Sequence, residues 1–202
     1  MSFSTIKIKQ AFIACLNRES FERLTVSELV KLAEINRGTF YQHYTDKYDL
    51  LAQYEDQISH RLQSVFSRYF QATMTNQTNQ ATVAIYPVVT QTVQLLQSEA
   101  ALLRALLGPN GDPRFEYRLK RQVKQAVQQR LTTLKGQPTL STALPADFAW
   151  ELVIAELFDI VKFWLFQSHP VAPADLATII MKTRYLSPYQ LLGLSEDQKT
   201  SD

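Results

Sequence analysis

Apolar residues recur along most of this chain at spacings of three and four, while apolar–polar alternation at a spacing of two is scarce. The pattern predicts helices near 4–18, 25–33, 37–44, 46–74, 81–97, 99–107, 113–135, 146–168 and 174–186, and an all-α fold. Proline and glycine cluster between periodic segments, in "LLGPNGDPR" at 106–114, "KGQPTLSTALPAD" at 135–147 and "SHPVAPAD" at 168–175. Pro87 falls inside the 81–97 segment, where it predicts a kink. "QATMTNQTNQAT" at 71–82 is polar enough to be a loop or a frayed helix end.

Two segments differ from the rest. Residues 46–74 carry Leu51, Tyr54, Ile58, Leu62, Val65 and Tyr69 on one stripe, as expected of a long helix that meets a core along its length. Residues 146–168 carry Trp150, Val153, Ile154, Leu157, Phe158, Val161, Trp164 and Leu165 over half the circumference. Phe148, Leu152, Phe163 and Phe166 fill much of the remainder. Such a helix is buried on both sides. One side belongs to the chain's own core, and the other to a partner subunit or, alternatively, to the core of a monomer. The 174–186 segment adds a stripe of Leu176, Ile179, Ile180, Thr183 and Leu186. With the same elements of a second chain these would make a four-helix interface.

The first fifty residues are read from their start signals. Thr25 and Glu28 in "TVSE" form a capping box that starts a helix at Val26. Asn36 caps the next helix, with Ile35 and Phe40 placed as a hydrophobic staple. The intervening "AEIN" is the tight turn of a helix-turn-helix. Projecting 37–44 at about 100° per residue sends Phe40 and Tyr44 inward. Gly38 and Gln42 fall opposite, flanked by Arg37 and Tyr41 on one edge and Thr39 and His43 on the other. The outer face thus offers a glutamine suited to adenine and a guanidinium suited to guanine or phosphate. A glycine there permits close approach, as reading a DNA groove requires. Lys47 and Tyr41 are expected at phosphates beside the groove, and Thr25 heads a helix whose amides could take another.

Bulk charge adds little to this reading. The net charge is +2, and the first fifty residues hold seven Lys+Arg against six Asp+Glu. The case therefore rests on placement. The single Cys15, among Ala11, Phe12 and Leu16, reads as a buried thiol in a reducing cytoplasm. "MSFSTIKIKQ" has no signal-like apolar run. The most hydrophobic stretch, 148–166, is interrupted by Glu151, Glu156, Asp159 and Lys162, so a cytoplasmic protein with no membrane span is expected.

"LTVSELVKLAEINRGTFYQHYTDKYDLL" at 24–51 closely resembles the DNA-binding half of the tetracycline-repressor-like (TetR) regulators, above all in its "INR-TFY-H" and "DKYDLL" patterns. The resemblance is specific over about residues 8 to 52. "FDIVKFWLFQSHPVAPADLA" at 158–177 looks like the last helix pair of some members. The resemblance implies that Thr25, Arg37, Thr39, Tyr41, Gln42, His43 and Lys47 work against double-stranded DNA, and that the chain dimerises through helices 146–168 and 174–186. Glu34 stands where the turn usually has glycine, so it is expected to take a positive φ at a cost of about 1 kcal/mol.

The expected division is a helix-turn-helix domain at 1–46, a ligand-binding and dimerisation bundle at 47–190, and a tail at 191–202. The family habit of binding small molecules makes Phe66, Tyr69, Tyr86, Trp150 and Phe158 candidates to line a pocket for an apolar ligand. A filled core is the alternative. His43, His60 and His169 lack metal-ligand spacing, and there is no glycine-rich phosphate loop, so no metal, cofactor or catalysis is expected. The reading is a ligand-responsive homodimeric repressor on a palindromic operator. A constitutive DNA-binding regulator without a pocket, and an all-α enzyme with a dispersed site, stay open as alternatives.

Overall fold

A computed structural model describes residues 2–75, 86–135, 143–183 and 186–193. The described residues form ten α-helices and no strand. Three short helices make the head: α1 (Phe3–Leu16), α2 (Val26–Leu32) and α3 (Arg37–Tyr41). Their apolar faces meet in one cluster, with Ile8, Phe12, Leu16, Leu24, Leu29 and Phe40 fully buried. Cys15 is buried with them, and that burial pushes its thiol pKa up, so the thiolate is disfavoured.

Helix α4 (Lys47–Thr75) has 29 residues, about 43 Å at 1.5 Å per residue, enough to run from the head through the body. Asp46 caps it, its Oδ1 accepting from the amides of Tyr48 and Asp49 at 2.8 Å each. The expected stripe faces inward: Leu51, Tyr54, Ile58 and Leu62 are buried and Val65 packs beside them.

The body adds α5 (Pro87–Ser98), α6 (Ala100–Leu107), α7 (Pro113–Lys135), α8 (Ala146–Phe166), α9 (Pro173–Thr183) and a short α10 (Pro188–Leu191). Helix α5 packs between α4 and α9, α7 lies against α4 and α8, and α6 reaches back to α1. The α6–α7 turn is tight. A Cβ on Gly111 would lie 2.0 Å from the Leu106 carbonyl oxygen, so that position excludes any side chain.

Pro87 corrects one expectation. It begins α5 instead of kinking it, with Tyr86 as the N-cap, because the first turn of a helix needs no amide from its first residue. Residues 81–85 of the expected helix, 76–82 of the polar stretch, 136–142, 184–185 and the tail from 194 onward lie outside the described residues.

Helix α8 has the two expected sides. Trp150, Ile154, Trp164 and Leu165 are buried, while Phe163 is 69%, Phe148 67% and Leu152 60% exposed. The α9 stripe divides differently from the expectation. Leu176 and Ile180 enter the chain's own core and leave Ile179 and Leu186 at the surface, because α5 covers α9 on one side.

Candidate nucleic-acid interface

The turn between α2 and α3 is built as a left-handed helix stop. The Ile35 amide donates to the Val30 carbonyl and the Glu34 amide to that of Lys31, with Glu34 at φ 53°. This is a Schellman motif whose positive-φ position, normally glycine, is held by glutamate as expected. The chain then enters α3 through Asn36, whose Oδ1 accepts from the Thr39 amide at 2.8 Å. At the head of α2 the capping box is complete. Thr25 Oγ1 accepts from the Glu28 amide at 3.3 Å, and Glu28 Oε2 takes the Thr25 amide at 2.9 Å and its hydroxyl at 2.6 Å. Those two donors hold the Glu28 carboxyl below the usual carboxylate range.

Helix α3 is shorter than the 37–44 expectation and closes at Tyr41, with Gln42 as its C-cap. The His43 amide turns back to Phe40, but Gln42 keeps right-handed helical angles, so the projection survives as far as that residue. Phe40 and Tyr44 are buried and Tyr41 is 54% exposed, with Arg37, Gly38 and Gln42 exposed beside it. Thr39 is half-buried, and its hydroxyl donates to Asn36 Oδ1 at 3.0 Å.

Three of the candidate residues have partners that sequence reasoning missed. Arg37 Nη2 donates to Ser27 Oγ at 2.5 Å, fixing the guanidinium across the start of α2. His43 Nε2 lies 2.9 Å from Ser4 Oγ, which ties the end of α3 to the start of α1. Lys47, expected at a phosphate, makes its contacts within the head. Its ammonium donates to the carbonyls of Phe21 at 3.1 Å, Glu22 at 2.7 Å and Leu24 at 2.9 Å, over the Phe21 and Tyr48 rings. All three N–H donors are thereby used, and none is left for a phosphate in this arrangement. No spacing in the sequence points to these contacts, because Lys47 meets residues 23 to 26 positions earlier.

A family model described as "Bacterial regulatory proteins, tetR family" matches residues 10–54, and one described as "Transcriptional regulator C-terminal region" matches 83–184. The chain is a TetR-family transcriptional regulator. The first match runs from the middle of α1 through α2 and α3 into the start of α4. The second takes in α5 to α9, with the segment between α7 and α8. No curated protein matches the chain. Among solved structures, a TetR transcriptional regulator from Streptococcus agalactiae 2603V is similar at 22% identity and TM-score 0.58, over 89% of this chain and 92% of that one. The fatty acid degradation regulator FadR from Bacillus halodurans is similar at 15% identity and TM-score 0.52, over 90% and 94%. At those identities the likeness concerns the fold, and it runs through head and body alike.

In this TetR-family chain a cleft of about 260 Å³ opens between α4 and α7. Asp56, Ser59, His60 and Gln63 from α4 and Gln122, Gln125 and Gln129 from α7 surround a floor of Leu62, Phe66, Leu119, Val123 and Ala126. Of the five residues expected around a pocket, this cleft brings in Phe66. Tyr86 begins α5, Trp150 is buried on the inner side of α8, and Phe158 lies under the Lys120 ammonium 5.0 Å from its ring centroid. Tyr69, farther along α4, stacks under Arg68. Trp150 and Phe158 are thus taken up in packing, and the cleft has a polar rim over its apolar floor. Among the described residues there is no group of three or more His, Cys, Asp or Glu fit to hold a metal ion, and no helix long and apolar enough to cross a membrane.

Proposed function

We propose that the protein is a cytoplasmic homodimeric repressor that reads a palindromic operator with α3 and is released by a small molecule bound between α4 and α7. The observation that carries the DNA reading is the outer face of α3. Arg37, Tyr41 and Gln42 are exposed around Gly38, on a helix whose other side is locked into the head by Phe40. Arg37 and Gln42 supply base recognition, Tyr41, Thr39 and His43 contact the groove walls, and Thr25 approaches a phosphate at the start of α2. Residues 1–46 serve DNA, and residues 47–190 serve dimerisation and ligand response. The outward Phe148, Leu152, Phe163 and Phe166 of α8, with Ile179 of α9, form the surface for the second copy, since so many large exposed apolar side chains on one face mark an association site.

The ligand reading rests on the α4–α7 cleft. Its glutamine-rich rim over an apolar floor suits a compact molecule with several hydrogen-bonding groups. Release of DNA by a factor of about 100 requires the ligand to favour the DNA-incompetent arrangement by about 2.7 kcal/mol.

The test is titration of the purified protein against promoter fragments from its own genome, followed by alanine substitution at Arg37 and Gln42. Each substitution should relax preference at particular operator positions by about 1–3 kcal/mol. An operator panel ranked identically by Gln42→Ala and the unaltered protein would show that α3 does not read bases through that residue.

A further inference from the structure

We infer that Glu99, held between Lys9 and Arg61, positions the DNA-binding head on the body and so sets the half-site spacing the dimer accepts; the spacing part rests on the operator reading above. Glu99 stands at the break between α5 and α6. Its amide donates to the Leu95 carbonyl of α5, and its own carbonyl accepts from the Leu103 amide of α6. Its backbone therefore belongs to both helices. The side chain is 8% exposed. Oε2 accepts from Lys9 Nζ at 2.6 Å, and Oε1 accepts from the Arg61 guanidinium, whose other nitrogen reaches Ser98 Oγ at 3.4 Å. One buried carboxylate thus joins α1 of the head, the linking helix α4 and the body.

A buried carboxylate is costly unless it is paired, and a pair that loses one partner leaves an uncompensated charge. Any tilt of the head away from α6 must break the Lys9 contact or carry Glu99 toward water. A second tie lies at the C-terminal end of α1, where the Asn110 side-chain amide donates to the Leu16 carbonyl at 2.9 Å and the Asn110 carbonyl accepts from the Phe21 amide at 2.9 Å. One tie would let α1 pivot about it. Two ties, seven residues and about 10 Å apart along the helix, define the direction of its axis. Helix α3 packs on α1 and is joined to it by the Ser4–His43 hydrogen bond, so the axis of α1 is passed to the reading helix. In a symmetric dimer the separation of two reading helices follows from that axis in each chain.

Two measurements on the full-length protein test this. In a Cys15→Ala background, spin labels at Lys31→Cys on α2 and Arg121→Cys on α7 report the head–body distance within one chain, with labelled chains diluted into unlabelled ones. The distribution should be narrow in the otherwise unaltered protein and in Lys9→Arg, and broad in Lys9→Met and in Glu99→Gln. An operator series with one base pair added or removed between half-sites should cost the unaltered protein about tenfold in affinity and Lys9→Met about threefold, because a loosened head meets a misplaced half-site more easily. A head–body distribution as narrow in Lys9→Met and Glu99→Gln as in the unaltered protein overturns the inference, whatever the DNA result. Failure of the unaltered protein to bind any two-fold-symmetric fragment overturns the operator reading instead, and the distance measurement still decides the role of Glu99.

Discussion

The Lys47 ammonium lies 2.9 Å from the carbonyl oxygen of Leu24, and with Phe21 and Glu22 accepting its other two protons it closes the loop between α1 and α2. Position 47 begins α4, where the positive end of the helix dipole disfavours a cation. Curling back places the charge on three carbonyl acceptors of that loop. Lys47→Met should therefore destabilise the protein by about 2 kcal/mol, since hydrogen bonds from a charged donor are worth more than neutral ones. Urea denaturation measures it. A variant of unchanged stability whose DNA binding loses about one unit of salt slope would instead make Lys47 a phosphate contact.

Glu34 at φ 53° keeps a left-handed conformation that costs a residue with a Cβ about 1 kcal/mol relative to glycine. Its ion pair with Lys7, at 3.4 Å, leaves Glu34 largely exposed and contributes little. Glu34→Gly should raise stability by about 0.5–1 kcal/mol and leave the turn unchanged. A fall in melting temperature would mean that the Lys7 contact outweighs the backbone strain.

These two residues also show what the sequence carried. Glu34 was legible through the resemblance, because it stands where the turn of TetR regulators usually has glycine, and the Schellman stop it completes is a local device. The capping box, the Asn36 cap, the α4 stripe and the two-sided α8 were legible because periodicity and caps are short-range signals. Lys47, Glu99 and Asn110 were not, because their partners are brought close by the packing of whole helices. Lys9 and Glu99 are 90 positions apart, and no pattern in either neighbourhood announces the other. The pocket candidates are a different case: helical spacing marks Trp150 and Phe158 as inward-facing, and it does not distinguish a side chain that packs, as these two do, from one that lines a cavity.

The outer side of α8 gives a third prediction. Phe163, 69% exposed, makes a small contribution to the fold of a single chain, so Phe163→Asp should leave a folded protein of unaltered helix content. If α8 pairs with a second copy, the same change places a charge in an apolar interface and should convert a dimer to a monomer in sedimentation, with loss of tight operator binding. An unaltered protein that sediments as a monomer at micromolar concentration would refute the dimer.

The last prediction concerns Glu55 on α4. Its Oε2 accepts from the Arg118 guanidinium of α7, which also holds Asp112 at 3.2 Å, while Oε1 is buried and meets no donor among the described residues. Burial disfavours the carboxylate and, against the pull of Arg118, pushes the Glu55 pKa up to about 7, with Asp112 and Asp56 adding to the rise. In the unfolded chain the group returns to an ordinary value near 4.5. Between those two values the folded state binds the proton more tightly than the unfolded state, so stability falls as pH rises through this window. The loss is complete above the folded value. The shift from about 4.5 to about 7, in which the pull of Arg118 is already included, sets it at about 3 kcal/mol. Glu55→Gln removes the titration, so the difference in unfolding free energy between the two proteins should shift in favour of the variant between pH 5 and pH 8, by up to about 3 kcal/mol. Chemical denaturation at four or five pH values across the window measures it. A difference independent of pH would mean that Arg118 keeps Glu55 ionised throughout.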